Sequence, residues 1–167
     1  MTRILGLVLL TALPLSAQTP PTGTLAQRLA GSWRLVAAEG RSSDGKVTRD
    51  YGAKPLGRLI MDESGRMSLH IVNPTRKRFA SGDFLRHTPD ELKEAFDGYF
   101  GYFGTYTVED NPGVVTFHVQ GAAYPNYIGT AQRRFFVLNG TRLTLRTAPE
   151  RAGGTDITYV IEWERER

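Results

Sequence analysis

The chain has 167 residues, of which 40% are hydrophobic, and its 21 Lys and Arg against 17 Asp and Glu give a net charge of +4. This balance is typical of one globular domain and excludes a disordered tail, a fibre or a polytopic membrane protein. Cysteine is absent and only three histidines occur, which excludes disulfides, thiolate metal sites and cysteine nucleophiles and leaves little for a zinc site. We therefore expect no metal and no cofactor.

The positive charge is spread along the chain among acidic residues. Its densest run is Arg76-Lys77-Arg78, and no nucleic-acid-binding motif accompanies it. A short basic run of this kind is typical of a solvated loop. We expect no nucleic-acid partner.

The first residues differ in composition from the rest. Arg3 precedes an apolar run over residues 4–13, and small residues follow as far as Ala17. This order predicts a secretory signal cut near Ala17-Gln18, and the run is shorter than the roughly 20 residues that span a bilayer. We expect no stable membrane span and export to the periplasm or the medium. The predicted boundaries are a signal peptide over residues 1–17, a linker over 18–29 and a folded domain over 30–167.

From Gly31 onward, apolar and polar residues alternate, and turn sequences separate the runs. This pattern predicts antiparallel strands, and Asn139-Gly140 is a strong hairpin signal. The predicted strands lie at 31–39, 56–61, 66–73, 102–109, 114–121, 131–138, 141–147 and 156–165, with a further short strand near Val47. About eight strands joined by hairpins predict an all-β, antiparallel up-and-down barrel, because closure removes exposed edges.

One segment, after the third predicted strand, has the pattern of a short α-helix. Thr88 is a candidate N-cap, Pro89 suits the first helical position, and Glu91 completes a capping box. Leu92, Ala95, Phe96 and Tyr99 form one stripe. The segment is either a helix packed over one end of the barrel or a lid that moves.

Both ends of the predicted domain carry family signatures. Gly31-Ser32-Trp33 and Trp163-Glu164-Arg165 are similar to the first-strand and last-strand motifs of lipocalins and calycins. Further motifs resemble the bacterial and fungal lipocalin-like domain family: Gly52-x-x-Pro55-x-Gly57-Arg58-Leu59-Ile60, Gly65-Arg66-Met67-Ser68, the run 102–108, Pro125-Asn126-x-x-Gly129 and Leu143-Thr144-Leu145. That family commonly has adjacent histidines where this chain has Phe117-His118, so the resemblance implies no role that needs both histidines.

The resemblance implies a barrel that holds a small apolar ligand. It also implies that Trp33 lies at the closed end with Arg165 against it. A guanidinium stacked on an indole is a stable arrangement, so we assign both residues to barrel closure rather than to ligand contact.

Hairpin register predicts which side chains face the interior. With Asn139 and Gly140 as the loop, Phe136 pairs with Leu143 and Arg134 pairs with Leu145, and paired residues share a face. Arg134 should therefore point inward, where an unpaired charge costs several kcal/mol. Its partner is either a buried acid, for which Glu39 is the only candidate on the strands, or a ligand carboxylate, phenolate or carbonyl.

The same derivation of cross-strand pairs from the loop residues applies to two other turns. A four-residue loop at 62–65 pairs Arg58 with Leu69 and places Arg58 inside as well. A four-residue loop at 110–113 places Tyr106 beside Phe117 on the inner face and His118 on the outer face. The predicted ligand-binding residues share this inward orientation: Arg134, Tyr106, Tyr102, Arg58, Phe117 and Phe136.

These patterns favour an exported protein that binds a small hydrophobic molecule, which optionally carries an anionic or carbonyl group. A Gly-x-Ser-x-Gly elbow, a phosphate-binding loop and metal-spaced histidines are absent from the sequence, so the parts of the common hydrolase and nucleotide sites are missing. Two alternatives stay open. One is a cofactor-free isomerase or cyclase that uses the same cavity, and the other is a filled barrel that binds a protein through the loop at 76–84 and the helix. The sequence does not indicate the oligomeric state.

Overall fold

We describe the fold from a computed structural model, which covers residues 23–83, 85–111, 113–152 and 154–167. The predicted signal peptide lies outside the described residues. Within them, ten strands and two α-helices follow one another: α1 Leu25–Leu29, β1 Gly31–Ser42, β2 Val47–Thr48, β3 Leu56–Met61, β4 Arg66–Val72, α2 Pro89–Asp97, β5 Tyr99–Glu109, β6 Val114–Ala122, β7 Ala131–Asn139, β8 Arg142–Arg146, β9 Glu150–Ala152 and β10 Thr155–Arg165. A single turn of 3₁₀ helix lies at Pro125–Tyr127.

The strands form one closed sheet in the order β2-β1-β3-β4-β5-β6-β7-β8-β10-β9, and β1 also pairs with β10. Every pairing is antiparallel. β2 and β9 are short extensions on β1 and β10, so eight strands make the barrel. The predicted all-β, antiparallel up-and-down barrel is confirmed, and α2 follows the third of its barrel strands.

Alternation along the strands builds the core. In β8, Leu143 and Leu145 are fully buried, while Arg142 before them and Arg146 after them are exposed. Two-residue periodicity sends successive side chains to opposite faces, so each strand supplies one apolar row to a shared interior. The core contains Phe117 and Tyr102 from the middle of the sheet.

The β7–β8 hairpin differs from the predicted register by two residues. Its loop is Gly140-Thr141, because Gly140 alone takes a positive φ, of 57°, which is the requirement of the first loop position of a type II′ turn. Phe136 consequently pairs with Leu145 instead of Leu143. A shift of two residues keeps every side chain on its predicted face, and Arg134 lies inside, 7% exposed.

The β3–β4 hairpin differs by one residue, and the inward orientation predicted for Arg58 is wrong. The loop spans three residues, with Gly65 at φ 84°, and Asp62 is paired with Arg66 through a backbone hydrogen bond of 2.9 Å. Arg58 therefore pairs with His70 rather than Leu69. A one-residue shift exchanges the two faces, which leaves the Arg58 side chain 59% exposed and bonded to Glu166 at 3.0 Å.

The β5–β6 hairpin has the predicted pairing near its turn. Tyr106 pairs with Phe117, and both are buried. His118 is exposed on the outer face, where its Nε2 lies 3.2 Å from the Thr107 hydroxyl. His118 therefore does not face the interior.

β1 contains an irregularity between Leu35 and Ala37, where one extra residue enters the pairing with β10. Such a bulge reverses the alternation beyond it, so Ala38 and Gly40, not Glu39, are the buried residues of this half of β1. Glu39 is for that reason not a buried core residue as predicted, although it contributes to the wall of the cavity at the open end. Its carboxylate accepts hydrogen bonds from Arg49 at 2.6 Å and Arg41 at 3.1 Å.

The predicted linker contains a helix that belongs to the folded domain. Thr24 caps α1, and Gln27 returns the hydrogen bond to form a capping box, which the sequence interpretation missed. Leu29 at the end of this helix is fully buried. The ordered domain thus begins before residue 30.

α2 begins as predicted, with Thr88 as N-cap, Pro89 in the first turn and Glu91 in a capping box. Its stripe does not form a buried face, since Leu92 is 45% and Phe96 is 51% exposed, and Tyr99 is the first residue of β5. Polar contacts hold the helix instead: the carboxylates of Glu91 and Glu94 accept backbone N–H groups of the preceding loop.

Neither helix has the length and hydrophobicity needed to cross a bilayer, as judged over the described residues. The same part of the chain holds no group of three or more His, Cys, Asp or Glu side chains arranged to bind a metal ion.

Candidate functional site

One end of the barrel is closed by α1 and Trp33. The indole is fully buried, and its Nε1 donates a hydrogen bond of 2.9 Å to the carbonyl of Leu29. The side chain that fills this end of the barrel is thereby tied to the helix that covers it.

Arg165 completes the closed end. Its guanidinium carbon lies 4.0 Å from the centre of the Trp33 ring, and its Nη1 donates to the carbonyl of Ala30 at 2.7 Å, while Nη2 donates to that of Arg28. Gly31 makes this approach possible, because a Cβ there would lie 2.5 Å from Arg165 Nη1. The cation is thus engaged by an aromatic face and two backbone carbonyls at this end of the barrel.

The other end of the barrel contains a cavity of about 400 Å³. β1 runs from Trp33 at the closed end to Ala38 and Gly40 in the cavity wall. The remaining wall residues come from β4, β5, β7, β10 and the segments at 50–51, 124–127 and 147–151. A volume of this size accommodates one small organic molecule.

Aromatic rings form a continuous wall of this cavity. Phe100 lies 6.4 Å from Tyr51 and 5.8 Å from Tyr127, and Tyr127 lies 5.4 Å from Tyr124, measured between ring centres. Tilted and edge-to-face contacts of this kind leave ring faces and edges for a further aromatic group. Tyr159 and Ile161 of β10 add to the wall.

Several of these tyrosines have a raised phenolic pKa. Burial raises the pKa of Tyr51 to about 12, with a smaller contribution from the Asp50 carboxylate. Burial also raises the pKa of Tyr127 and of Tyr159, and the negative charge of Glu150 adds to both. The cavity wall therefore presents neutral hydroxyl groups at physiological pH.

Arg134 is the buried cation of this cavity. Its Nη1 donates to the carbonyl of Arg133 at 2.8 Å, and its Nη2 donates to Oε1 of Gln132 at 3.2 Å. Both acceptors are neutral, whereas a guanidinium carries five N–H donors and pairs best with an anion or a strong acceptor. Arg134 lines the cavity with donor capacity that these two bonds do not use.

The acid nearest to Arg134 is Glu150, and the sequence interpretation did not identify it. Glu150 Oε1 lies 3.9 Å from Arg134 Nη1, which is too long for a hydrogen bond. The Glu150 side chain is 38% exposed and also lines the cavity. The cavity therefore contains a cation and an anion side by side.

A family comparison agrees with this architecture. The model of the lipocalin-like domain family matches residues 30–166 of the chain. The chain belongs to the lipocalin-like domain family. A relative from Aspergillus oryzae, described as a 4'-hydroxy-3'-methoxypropiophenone carrier protein, is 30% identical over 106 residues, which are 59% of this chain and 96% of the relative.

This lipocalin-like domain brings together only part of the predicted ligand-binding set. Arg134 faces the cavity. Tyr102 lies behind its wall, 5.6 Å from Phe100 and 6.3 Å from Tyr127 between ring centres, and burial raises its pKa to about 12. Phe117 packs behind Tyr102 at 5.9 Å, so these two rings support the wall.

The other predicted residues lie elsewhere in the lipocalin-like domain. Phe136 is half-buried against the core. The hydroxyl of Tyr106 donates to the carbonyl of Asp62 at 2.8 Å, in the β3–β4 turn, so this tyrosine fastens a loop. Arg58 lies outside the barrel. We find none of these three in the cavity wall.

Most of the wall residues missed by the sequence interpretation come from irregular segments. Tyr51, Tyr124 and Tyr127 lie between strands, where no periodicity assigns a face. Tyr159 had a usable signal, since it continues the alternation of Trp163 and Ile161 along β10. Glu150 had none, because β9 is only three residues long.

Proposed function

We propose that this lipocalin-like protein is a carrier of a small hydrophobic aromatic molecule, held in the cavity with a polar group of the ligand against Arg134. The observation that carries the proposal is the buried guanidinium of Arg134 in an aromatic cavity, bonded only to neutral acceptors among the described residues. The carrier description of the Aspergillus oryzae relative supports it.

The energetics are consistent with this role. A flat aromatic ligand in the 400 Å³ cavity removes apolar surface from water, at about 25 cal/mol per Å² of area buried. A hydrogen bond from a charged donor contributes about 1.5–3 kcal/mol in addition. Ring contacts therefore supply most of the affinity, and Arg134 supplies orientation and a preference for acceptor-bearing ligands.

Calorimetric titration with 4'-hydroxy-3'-methoxypropiophenone tests the proposal. We expect one ligand per chain, with an affinity that falls about 10-fold or more in Arg134→Met, as the loss of a charged hydrogen bond implies. Arg58→Met is the matched control, because this arginine is exposed on the outer surface, and its affinity should equal that of the unaltered protein. Equal affinities in all three proteins would contradict the role of Arg134.

A second measurement does not depend on the choice of ligand. Small molecules that co-purify with the protein can be extracted and identified by mass spectrometry. We expect an aromatic compound in extracts of the unaltered protein and of Arg58→Met, and less of it in Arg134→Met. Absence of any bound compound, together with no binding in a screen of aromatic ketones and phenols, would contradict the carrier function.

We also propose that residues 1–17 direct export. The support is the sequence order of Arg3, the apolar run 4–13 and the small residues up to Ala17. Expression of the full chain in a Gram-negative host, followed by fractionation and N-terminal sequencing, should give a periplasmic protein that begins at Gln18. Recovery of uncut protein in the cytoplasm would contradict this proposal without affecting the carrier function.

A further inference from the structure

Arg134 and Glu150 form an incomplete ion pair inside the cavity. The two side chains approach to 3.9 Å between Nη1 and Oε1, so they attract each other without a direct hydrogen bond. Both line the same cavity. A ligand atom that can both donate and accept a hydrogen bond would fit between or beside these two side chains and contact both.

Each partner has capacity for such a contact. Arg134 uses Nη1 on the carbonyl of Arg133 and Nη2 on the side chain of Gln132, which leaves part of its five-donor set for a ligand. Within the described part of the chain, the Glu150 carboxylate accepts no side-chain or backbone hydrogen bond that meets standard geometry, and it is partly shielded at 38% exposure. The pair therefore offers a strong donor and a strong acceptor at adjacent positions.

We infer that Arg134 and Glu150 together recognise a hydroxyl group, and that the ligand is a neutral phenol. The inference rests on the proposed carrier function and specifies its ligand class. A hydroxyl accepts a hydrogen bond from Arg134 and donates one to Glu150, so it satisfies both groups at once. The aromatic wall of Tyr51, Phe100 and Tyr127 favours an aryl group on that hydroxyl over an alkyl chain.

The same geometry discriminates against related ligands. An ether or a ketone accepts from Arg134 but leaves Glu150 without a donor. A carboxylate also accepts from Arg134, but its charge faces the like charge of Glu150, which is unfavourable in a partly desolvated site. A site arranged to hydrogen-bond a hydroxyl rejects the analogue that lacks it, because its own polar groups are then left without partners.

A matched ligand series tests the inference: 4-ethylphenol, 4-ethylanisole and 4-ethylbenzoate, titrated calorimetrically into the unaltered protein. We expect 4-ethylphenol to bind at least 10-fold more tightly than the other two. In Glu150→Gln, 4-ethylbenzoate should gain about 10-fold, because the opposing charge is removed while side-chain size is kept. Glu109→Gln is the control, since Glu109 is an exposed acid paired with Arg133 on the outer surface, and it should leave the series unchanged.

The outcomes separate the two proposals. Equal affinity for the phenol and its methyl ether, or tightest binding of the benzoate, overturns the hydroxyl inference and leaves the carrier function intact. Failure of all three compounds and of 4'-hydroxy-3'-methoxypropiophenone to bind contradicts both. The ligand series on the unaltered protein decides the preference even where a variant folds poorly.

Discussion

The two ends of the barrel each contain an arginine beside aromatic rings, and the two arginines differ in their hydrogen-bonding partners. At the closed end, Arg165 stacks on Trp33 and donates to two backbone carbonyls. At the open end, Arg134 is bonded to one carbonyl and one amide, and its nearest carboxylate is 3.9 Å away. The two arginines thus differ in their partners: Arg165 is held by fixed backbone acceptors, whereas Arg134 lies in a cavity beside an incomplete ion pair, as its proposed role in ligand binding requires.

Among the substitutions that test this comparison, Trp33→Ala at the closed end should cause the largest loss of stability. Removal of a fully buried indole creates a cavity and leaves the Leu29 carbonyl without its donor, so we expect a loss of about 3–5 kcal/mol in the free energy of unfolding. Urea denaturation measures it. Phe103→Ala is the control, because Phe103 is 55% exposed and should cost within about 0.5 kcal/mol. Similar losses in the two variants would show that the closed end does not carry the stability assigned to it.

Arg165→Met should destabilise the protein by about 2 kcal/mol, because two backbone carbonyls lose a charged donor and the stacking on Trp33 is weakened. The affinity for cavity ligands should not change. Arg34→Met is the control: Arg34 is exposed and paired with Glu164 on the outer surface, where ion pairs contribute about 0–1 kcal/mol. A loss of ligand affinity in Arg165→Met with little loss of stability would reverse the comparison between the two ends.

Alkaline pH should destabilise the open half of the barrel through Tyr102. Burial raises the pKa of this tyrosine to about 12, above its ordinary value near 10 in the unfolded chain. Above pH 10 the unfolded state therefore releases a proton that the folded state retains, and stability falls with rising pH, by about 1 kcal/mol for this group at pH 11.

Urea denaturation at pH 9, 10 and 11 checks this pH dependence. Tyr102→Phe should reduce the slope between pH 10 and 11, whereas Tyr124→Phe, at an exposed ring, should leave it unchanged. If the two variants have the same slope, Tyr102 does not remain protonated in the folded protein.

The smallest effect on stability should come from Arg134→Met, within about 1 kcal/mol and of either sign. Replacement of a buried charge by an apolar side chain of similar length often costs little or stabilises, and Glu150 is exposed enough to stay hydrated without its partner. Thermal unfolding without ligand measures it. A loss as large as that of Arg165→Met would mean that Arg134 is structural as well.

The barrel was predictable because its signals are local. Alternating strands and turn residues define most of the elements. A predicted strand pairing that is wrong by two residues still assigns each side chain to the correct face of the sheet. Arg134 shows this: the β7–β8 loop lies one position later than predicted, yet the side chain keeps its face. Arg58 shows the limit, since a pairing shift of one residue in the β3–β4 turn sends it outside.

The cavity was less predictable because its residues lie where periodicity ends. Tyr51 and Tyr127 come from connections between strands, and Glu150 comes from a strand of three residues. Their positions depend on how loops fold back over the open end, which involves contacts distant in sequence. α1 was also missed, but for a different reason: its capping box of Thr24 and Gln27 is a local signal that could have been recognised in the sequence.

The extra residue in β1 has a consequence for how ligand preference changes within such a barrel. Because the pairing shift between Leu35 and Ala37 decides which later residues face inward, deletion of Val36 would turn Glu39 toward the interior in a single step. The Glu39 carboxylate would then point into an interior whose wall already includes Asp50, Glu150, Arg134 and Arg151, and the added negative charge would favour a cationic guest. Insertions and deletions in a wall strand, more than substitutions, are therefore an abrupt route from one ligand charge to another in this fold.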